Sequence, residues 1–207
     1  MKKVLLLLIS ALTLLAYTGF MQPKPGAWAK YELDADGKKM VMITKYLGTT
    51  TYKGKKVNIV ETETIVDGQK MVMQEWSAVD NDSLIQKRIM LTPMGIMCME
   101  EELYGTSPGE EAPGSLHTPE KYSPKMPNIK LGTYTLPNGK KIKVAIFKDE
   151  DAEVWVSSEV PFGTVQVIHD GKPVVKLVDF GLSGAKAAIP LDEAKSCSAV
   201  KFPFPVM

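Results

Sequence analysis

Turn signals recur along this chain between short runs with strand character. Asp34-Ala35-Asp36-Gly37, Lys53-Gly54-Lys55, Asp67-Gly68, Asp80-Asn81-Asp82-Ser83, Pro137-Asn138-Gly139 and Asp170-Gly171 punctuate it. Asp67-Gly68 and Asp170-Gly171 are two-residue hairpin loops between β-branched runs. The intervals read as strands: Ala27–Leu33, Lys39–Tyr46 with an extension over Thr49–Tyr52, Lys56–Val66, Gln69–Val79, Leu84–Leu91 and Gly95–Leu103. A second set follows at Lys130–Leu136, Lys140–Lys148, Glu153–Ser157, Gly163–His169 and Val174–Phe180. Ala185–Ile189 reads as a last strand or a short helical turn. No sustained helical period survives outside the N-terminal apolar run. Short connections make sequential strands antiparallel neighbours. The expected fold is mainly β: a curved antiparallel sheet or incomplete barrel with few or short helices.

Residues 1–22 read as an export signal. Met1-Lys2-Lys3 precedes an apolar run from Val4 to Tyr17, shorter than the roughly 20 residues of a membrane span. Phe20-Met21 leave an uncleaved anchor open, and Ala16-Tyr17-Thr18 and Ala27-Trp28-Ala29 are alternative cleavage sites. Loss of Lys2 and Lys3 takes the formal charge from +1 to −1. A near-neutral chain lacks the basic footprint of a nucleic-acid binder. The rest, 23–207, is expected to be a single domain. Within it, 105–128 is rich in proline and glycine and reads as a solvated connector or a lid. The tail, 196–207, is apolar and proline-punctuated, and reads as extended.

Methionine is the distinctive residue of the strands. Met40-Val41-Met42, Met71-Val72-Met73 and Met97-Cys98-Met99 are three Met-x-Met triplets in three strands. Residues two apart share a face, so each strand presents paired thioethers. Such a surface is soft and deformable, and it suits a pocket for a greasy ligand or a plain core. Trp76 and Trp155 join the six methionines as candidate lining residues, Trp76 on the face opposite Met71 and Met73. The apolar residues between the methionines imply something packed on each side of the sheet. Thioethers also ligate Cu(I). However, Cys98 faces away from Met97 and Met99, and neither His117 nor His169 sits near a triplet. No metal or cofactor is therefore expected.

Two cysteines, Cys98 and Cys197, permit one bridge in an oxidising compartment. It would tie the tail to a strand of the first half. Catalytic patterns are weak. Ser183-Gly184-Ala185-Lys186 has the S-x-x-K spacing, but glycines and Pro190 bracket it, and no further element of that mechanism follows. Gly181-Leu182-Ser183-Gly184-Ala185 approaches a nucleophile elbow, yet no histidine follows Ser183. Glu100-Glu101-Glu102 and Asp149-Glu150-Asp151 read as solvated strand ends and turns. No enzyme activity is expected.

The layout resembles the LolA/LolB-like class of exported bacterial proteins. The likeness rests on Pro25–Leu33 as a first strand, on Met71-Val72-Met73-Gln74-Glu75-Trp76, and on Val154–Gly163 with its Pro161-Phe162-Gly163 turn. It is architectural, and Arg88 lies in a strand of alternating polarity rather than matching that carrier's lipoprotein-gripping arginine. The resemblance implies an incomplete barrel whose concave apolar face holds acyl chains. The leading expectation is an exported, bacterial periplasmic binding or carrier protein for a lipid-like ligand, with peripheral membrane contact. The alternative is an envelope structural or assembly protein, docking through a sheet edge or the C-terminal tail.

Overall fold

The computed structural model describes residues 23–35, 37–79, 85–92, 95–100, 128–148 and 151–197. The expected export signal, most of the 105–128 segment and the tail beyond Cys197 lie outside them, as does His117. The chain forms one open sheet of 11 strands, every neighbouring pair antiparallel. The first meander runs β1 (Trp28–Ala35), β2 (Lys38–Tyr52), β3 (Lys55–Val66), β4 (Gln69–Ala78), β5 (Ile85–Thr92) and β6 (Gly95–Glu100). The second runs β7 (Asn128–Thr135), β8 (Lys141–Lys148), β9 (Ala152–Val156), β10 (Thr164–His169) and β11 (Lys172–Gly181). Spatial order is β6-β5-β4-β3-β2-β1-β11-β10-β9-β8-β7. The outermost strands of the chain, β1 and β11, thus meet in the middle, and β6 and β7 are the edges.

The hairpin signals act as expected. Lys53/Gly54, Asp67/Gly68 and Asp170/Gly171 all take positive φ at both positions, the geometry whose twist matches antiparallel strands. The strand expected over Lys39–Tyr46 and its extension over Thr49–Tyr52 fuse into one 15-residue strand, with a register shift between Tyr46 and Gly48 that lets it continue. At the central seam Trp28 pairs with Gly181. The indole lies over that glycine, and a Cβ there would stand 2.4 Å from Trp28 Nε1. Any larger residue would expel the ring.

Two separate cores hold the sheet. The larger joins Ala29, Tyr31, Leu33 and Met42 of the first meander to Ile142, Val144, Val165 and Leu177 of the second. Phe162 enters it from the Pro161-Phe162-Gly163 turn at a positive φ of 67°. The smaller lies on β3–β6 and contains Val57, Ile59, Val72, Trp76, Ile89 and Cys98.

Its cover comes from the residues after β11. The segment expected as a strand or helical turn is neither. From Ala185 the chain crosses the sheet face as a strap and ends in a short helix, α1 (Leu191–Ser196). Ile189 and Ala194 point inward and are fully buried. Cys197 then joins Cys98 on β6, with a Cα–Cα separation of 6.1 Å.

Candidate functional site

The wing formed by β2–β6 has two faces of opposite chemistry, and register determines which residue falls on each. On the strap face Lys45, Glu61, Gln74, Ile89 and Cys98 are successive cross-strand partners. They form one row at right angles to the strands, directly under the strap. A chain crossing a sheet face cannot join the sheet's hydrogen-bond ladder, so its buried backbone groups need side-chain partners. The row supplies them. Lys45 Nζ donates to the Lys186 carbonyl at 3.0 Å. The Glu61 carboxylate accepts from the Ala188 and Ile189 amides at 2.8 and 3.1 Å. Gln74 Nε2 donates to the Ile189 carbonyl at 2.7 Å and to Glu61 at 2.9 Å. One strand further, Lys87 Nζ donates to the carbonyls of Lys195 and Cys197 at 3.4 and 2.7 Å, where a cation complements a helix C-terminus. The disulfide closes the far end.

Charge is balanced between this row and its same-face neighbours Glu63 and Lys70. Lys45 bonds Glu61 at 2.9 Å and also donates to Glu63, which takes a second bond from Lys70 at 3.2 Å. Burial pushes the Lys45 ammonium down, but bonds to Glu63 and Glu61 and their charges outweigh it and hold it above its ordinary value. Burial likewise pushes the Glu63 carboxyl up, and bonds from Lys45 and Lys70 overcome this and hold it below. These polar residues clamp the strap, and the sequence reading did not single them out.

The opposite face of the wing carries the methionines. Met42 pairs with Thr64 and Thr64 with Met71. Thr62, Met73, Met90 and Met97 are partners in turn across β3–β6. All six triplet methionines therefore share one face, with Cys98 on the other, and Met90 joins them. Their environments differ. Met42 is buried in the larger core and Met40 packs against it. Met71 is 52% exposed, and Met73, Met90, Met97 and Met99 are half-buried. These five belong to neither core. Of the tryptophans, Trp76 is fully buried under the strap, and Trp155 is half-buried edge-on to Tyr134, with ring centroids 6.2 Å apart. Met40, Met42, Trp76 and Trp155 thus stand apart from the open methionine patch, because strand parity and the two cores claim them.

The remaining sequence candidates do not converge. Ser183 and Lys186 are exposed in an irregular stretch with no helical turn to face them together. His169 lies at the end of β10 beside Asp170. Arg88 forms an ion pair with Glu75 at 2.9 Å. Among the described residues no group of histidine, cysteine and carboxylate side chains could hold a metal ion. A cleft of about 260 Å³ at the β8–β9 and β10–β11 turns is lined by Lys148, Asp151, Glu153 and Asp170 with Ile168, a charged setting unlike an acyl-chain site.

No protein-family model and no curated protein matches the sequence. The chain is similar to a solved structure from Bacteroides fragilis, a presumed exported protein with a YmcC-like fold. Identity is 10% and the TM-score 0.32, with 78% of this chain and 98% of that one covered. That degree of likeness assigns neither a fold family nor a function to this chain.

Proposed function

We propose that this is an exported, non-catalytic binding or carrier protein that holds a lipid-like apolar ligand against the methionine face of β4–β6. One observation carries the reading: Met71, Met73, Met90, Met97 and Met99 share a face and belong to neither core. Flexible thioether side chains mould to an acyl chain without demanding a fixed shape. The open antiparallel sheet supports a LolA/LolB-like architecture in general terms, and the basic, apolar N-terminus supports export to the periplasm. Protein purified from membranes should carry a lipid-sized mass in native mass spectrometry and should take up a fluorescent fatty acid. A Met73→Lys/Met90→Lys variant, with two ammonium groups at the centre of the patch, should lose both. Wild-type protein that is always empty and takes up no fatty acid would refute the reading.

The alternative, assembly through a sheet edge, is favoured by one observation. Edge strand β7 exposes Ile129 at 56% and Leu131 at 87%. An open apolar edge is a ready site for strand addition by an envelope protein. Leu131→Lys should then abolish co-purification of that partner while leaving fatty-acid uptake unchanged.

A further inference from the structure

We propose that Met73, Met90 and Met97 form a binding site for Cu(I), independent of any lipid ligand. Met90 on the middle strand is the direct cross-strand partner of both Met73 and Met97, which stand two strands, about 10 Å, apart. Each directly opposed pair has Cβ atoms about 4.5–5.5 Å apart, and the rotatable bonds of the outer two methionines let them lean their sulfurs toward Met90. Met90 is the middle strand's contribution, and it converts two separate triplets into a continuous three-sulfur row. Met99 and Met71 lie one same-face step from Met97 and Met73, so replacement thioethers flank the row at both ends.

The surroundings select the ion. Three thioethers are soft and neutral, which suits monovalent Cu(I) and disfavours hard or divalent cations that need anionic oxygen or nitrogen donors. The soft thiolate alternative is absent, because Cys98 and Cys197 are joined to each other. In the next row of the same face, Arg88 partners Met99 in register, and its positive charge is matched by Glu75 at 2.9 Å. No uncompensated cation of that row therefore repels the ion. All three residues are half-buried. A thioether has no proton to lose before it binds, so uptake should not weaken at mildly acidic pH, as it does for thiolate or imidazole ligands.

The experiment uses the full chain with Ag(I), an air-stable analogue of Cu(I), followed by Cu(I) under anaerobic competition with a bathocuproine chelator. Methyl-labelled methionine NMR reports which thioethers respond. The expected result is one retained ion per chain, resonance shifts at Met73, Met90 and Met97, and undiminished retention at about pH 5. The Met73→Leu/Met90→Leu/Met97→Leu variant conserves apolar volume, so it should keep its fold and lose the ion. Absence of a retained ion in the wild type would overturn the proposal, and so would equal retention in the leucine variant. Fatty-acid uptake by the leucine variant bears only on the lipid reading, since leucine preserves the greasy face.

Discussion

Glu61→Ala is the sharpest probe of the strap. The carboxylate is fully buried, and it accepts bonds from Lys45, Gln74 and the Ala188 and Ile189 amides. Truncation leaves both amides and one Gln74 proton without an acceptor in a closed site. Each orphaned buried donor costs about 1–3 kcal/mol, though water entering the space left by the side chain recovers part of this. Removing one partner of a buried ion pair costs about 3–5 kcal/mol. Lys45 keeps Glu63 and the Lys186 carbonyl, so little of that ion-pair cost applies, and the three orphaned donors set the expected loss at about 3 kcal/mol or more. That is a large share of the ~5–15 kcal/mol that holds a typical domain together. Urea unfolding should show a lower midpoint at similar slope, and the Ala188 and Ile189 amides should exchange faster than those of the β1–β11 seam. A Glu61→Ala midpoint equivalent to a loss within about 0.5 kcal/mol, the range of an inconsequential surface change, would refute the assignment of this carboxylate as the strap's anchor.

Two further outcomes follow from the same region. Glu63 is held below its ordinary value, so the folded state binds fewer protons than the unfolded one; its contribution is complete above an unfolded value of about 4.3 and is lost as pH falls through the folded value. Lys45 is held above its ordinary value, so its contribution is complete below about 10.4 and is lost as pH rises through the folded value. Glu63→Gln should therefore flatten the acid limb of a stability-against-pH curve obtained by urea denaturation. The disulfide closes a sequence separation of 99, for which chain entropy gives up to about 4.7 kcal/mol. A Cys98→Ala/Cys197→Ala variant should unfold at lower urea with a steeper slope, because its denatured state expands further; an unchanged midpoint would contradict this.

Strand parity was the legible part of the molecule. The positions of Asp67-Gly68 and Asp170-Gly171 marked hairpins, and the two-residue period placed Cys98 and Trp76 opposite the methionines. The apolar residues between the methionines implied a second covered face, and the strap is that cover. Its identity was not legible, for a physical reason. Residues 182–190 hold no regular structure, so no period announces them. Their partners Lys45, Glu61 and Gln74, and Lys87 beneath the end of α1, alternate along strands as solvent-facing residues ordinarily do. Only the three-dimensional crossing reveals that these polar side chains serve a buried backbone. Met90 escaped notice because it stands alone in its strand, and partnership across strands depends on register.

The meeting of β1 and β11 at the centre of the sheet has a temporal consequence. The first six strands can pair with their sequence neighbours as soon as they are made. Their inner edge, β1, must wait for Lys172–Gly181, and Trp76 and Ile59 stay bare until Ile189 and Ala194 arrive. Contacts so distant in sequence are slow to form. An N-terminal fragment is therefore a sticky half-sheet with two open edges and an uncovered core, exposed to aggregation. In the native molecule the Cys98–Cys197 bond links β6 to the far end of the strap, so a thiol-trapping time course during refolding would report when those two ends meet relative to closure of the β1–β11 seam.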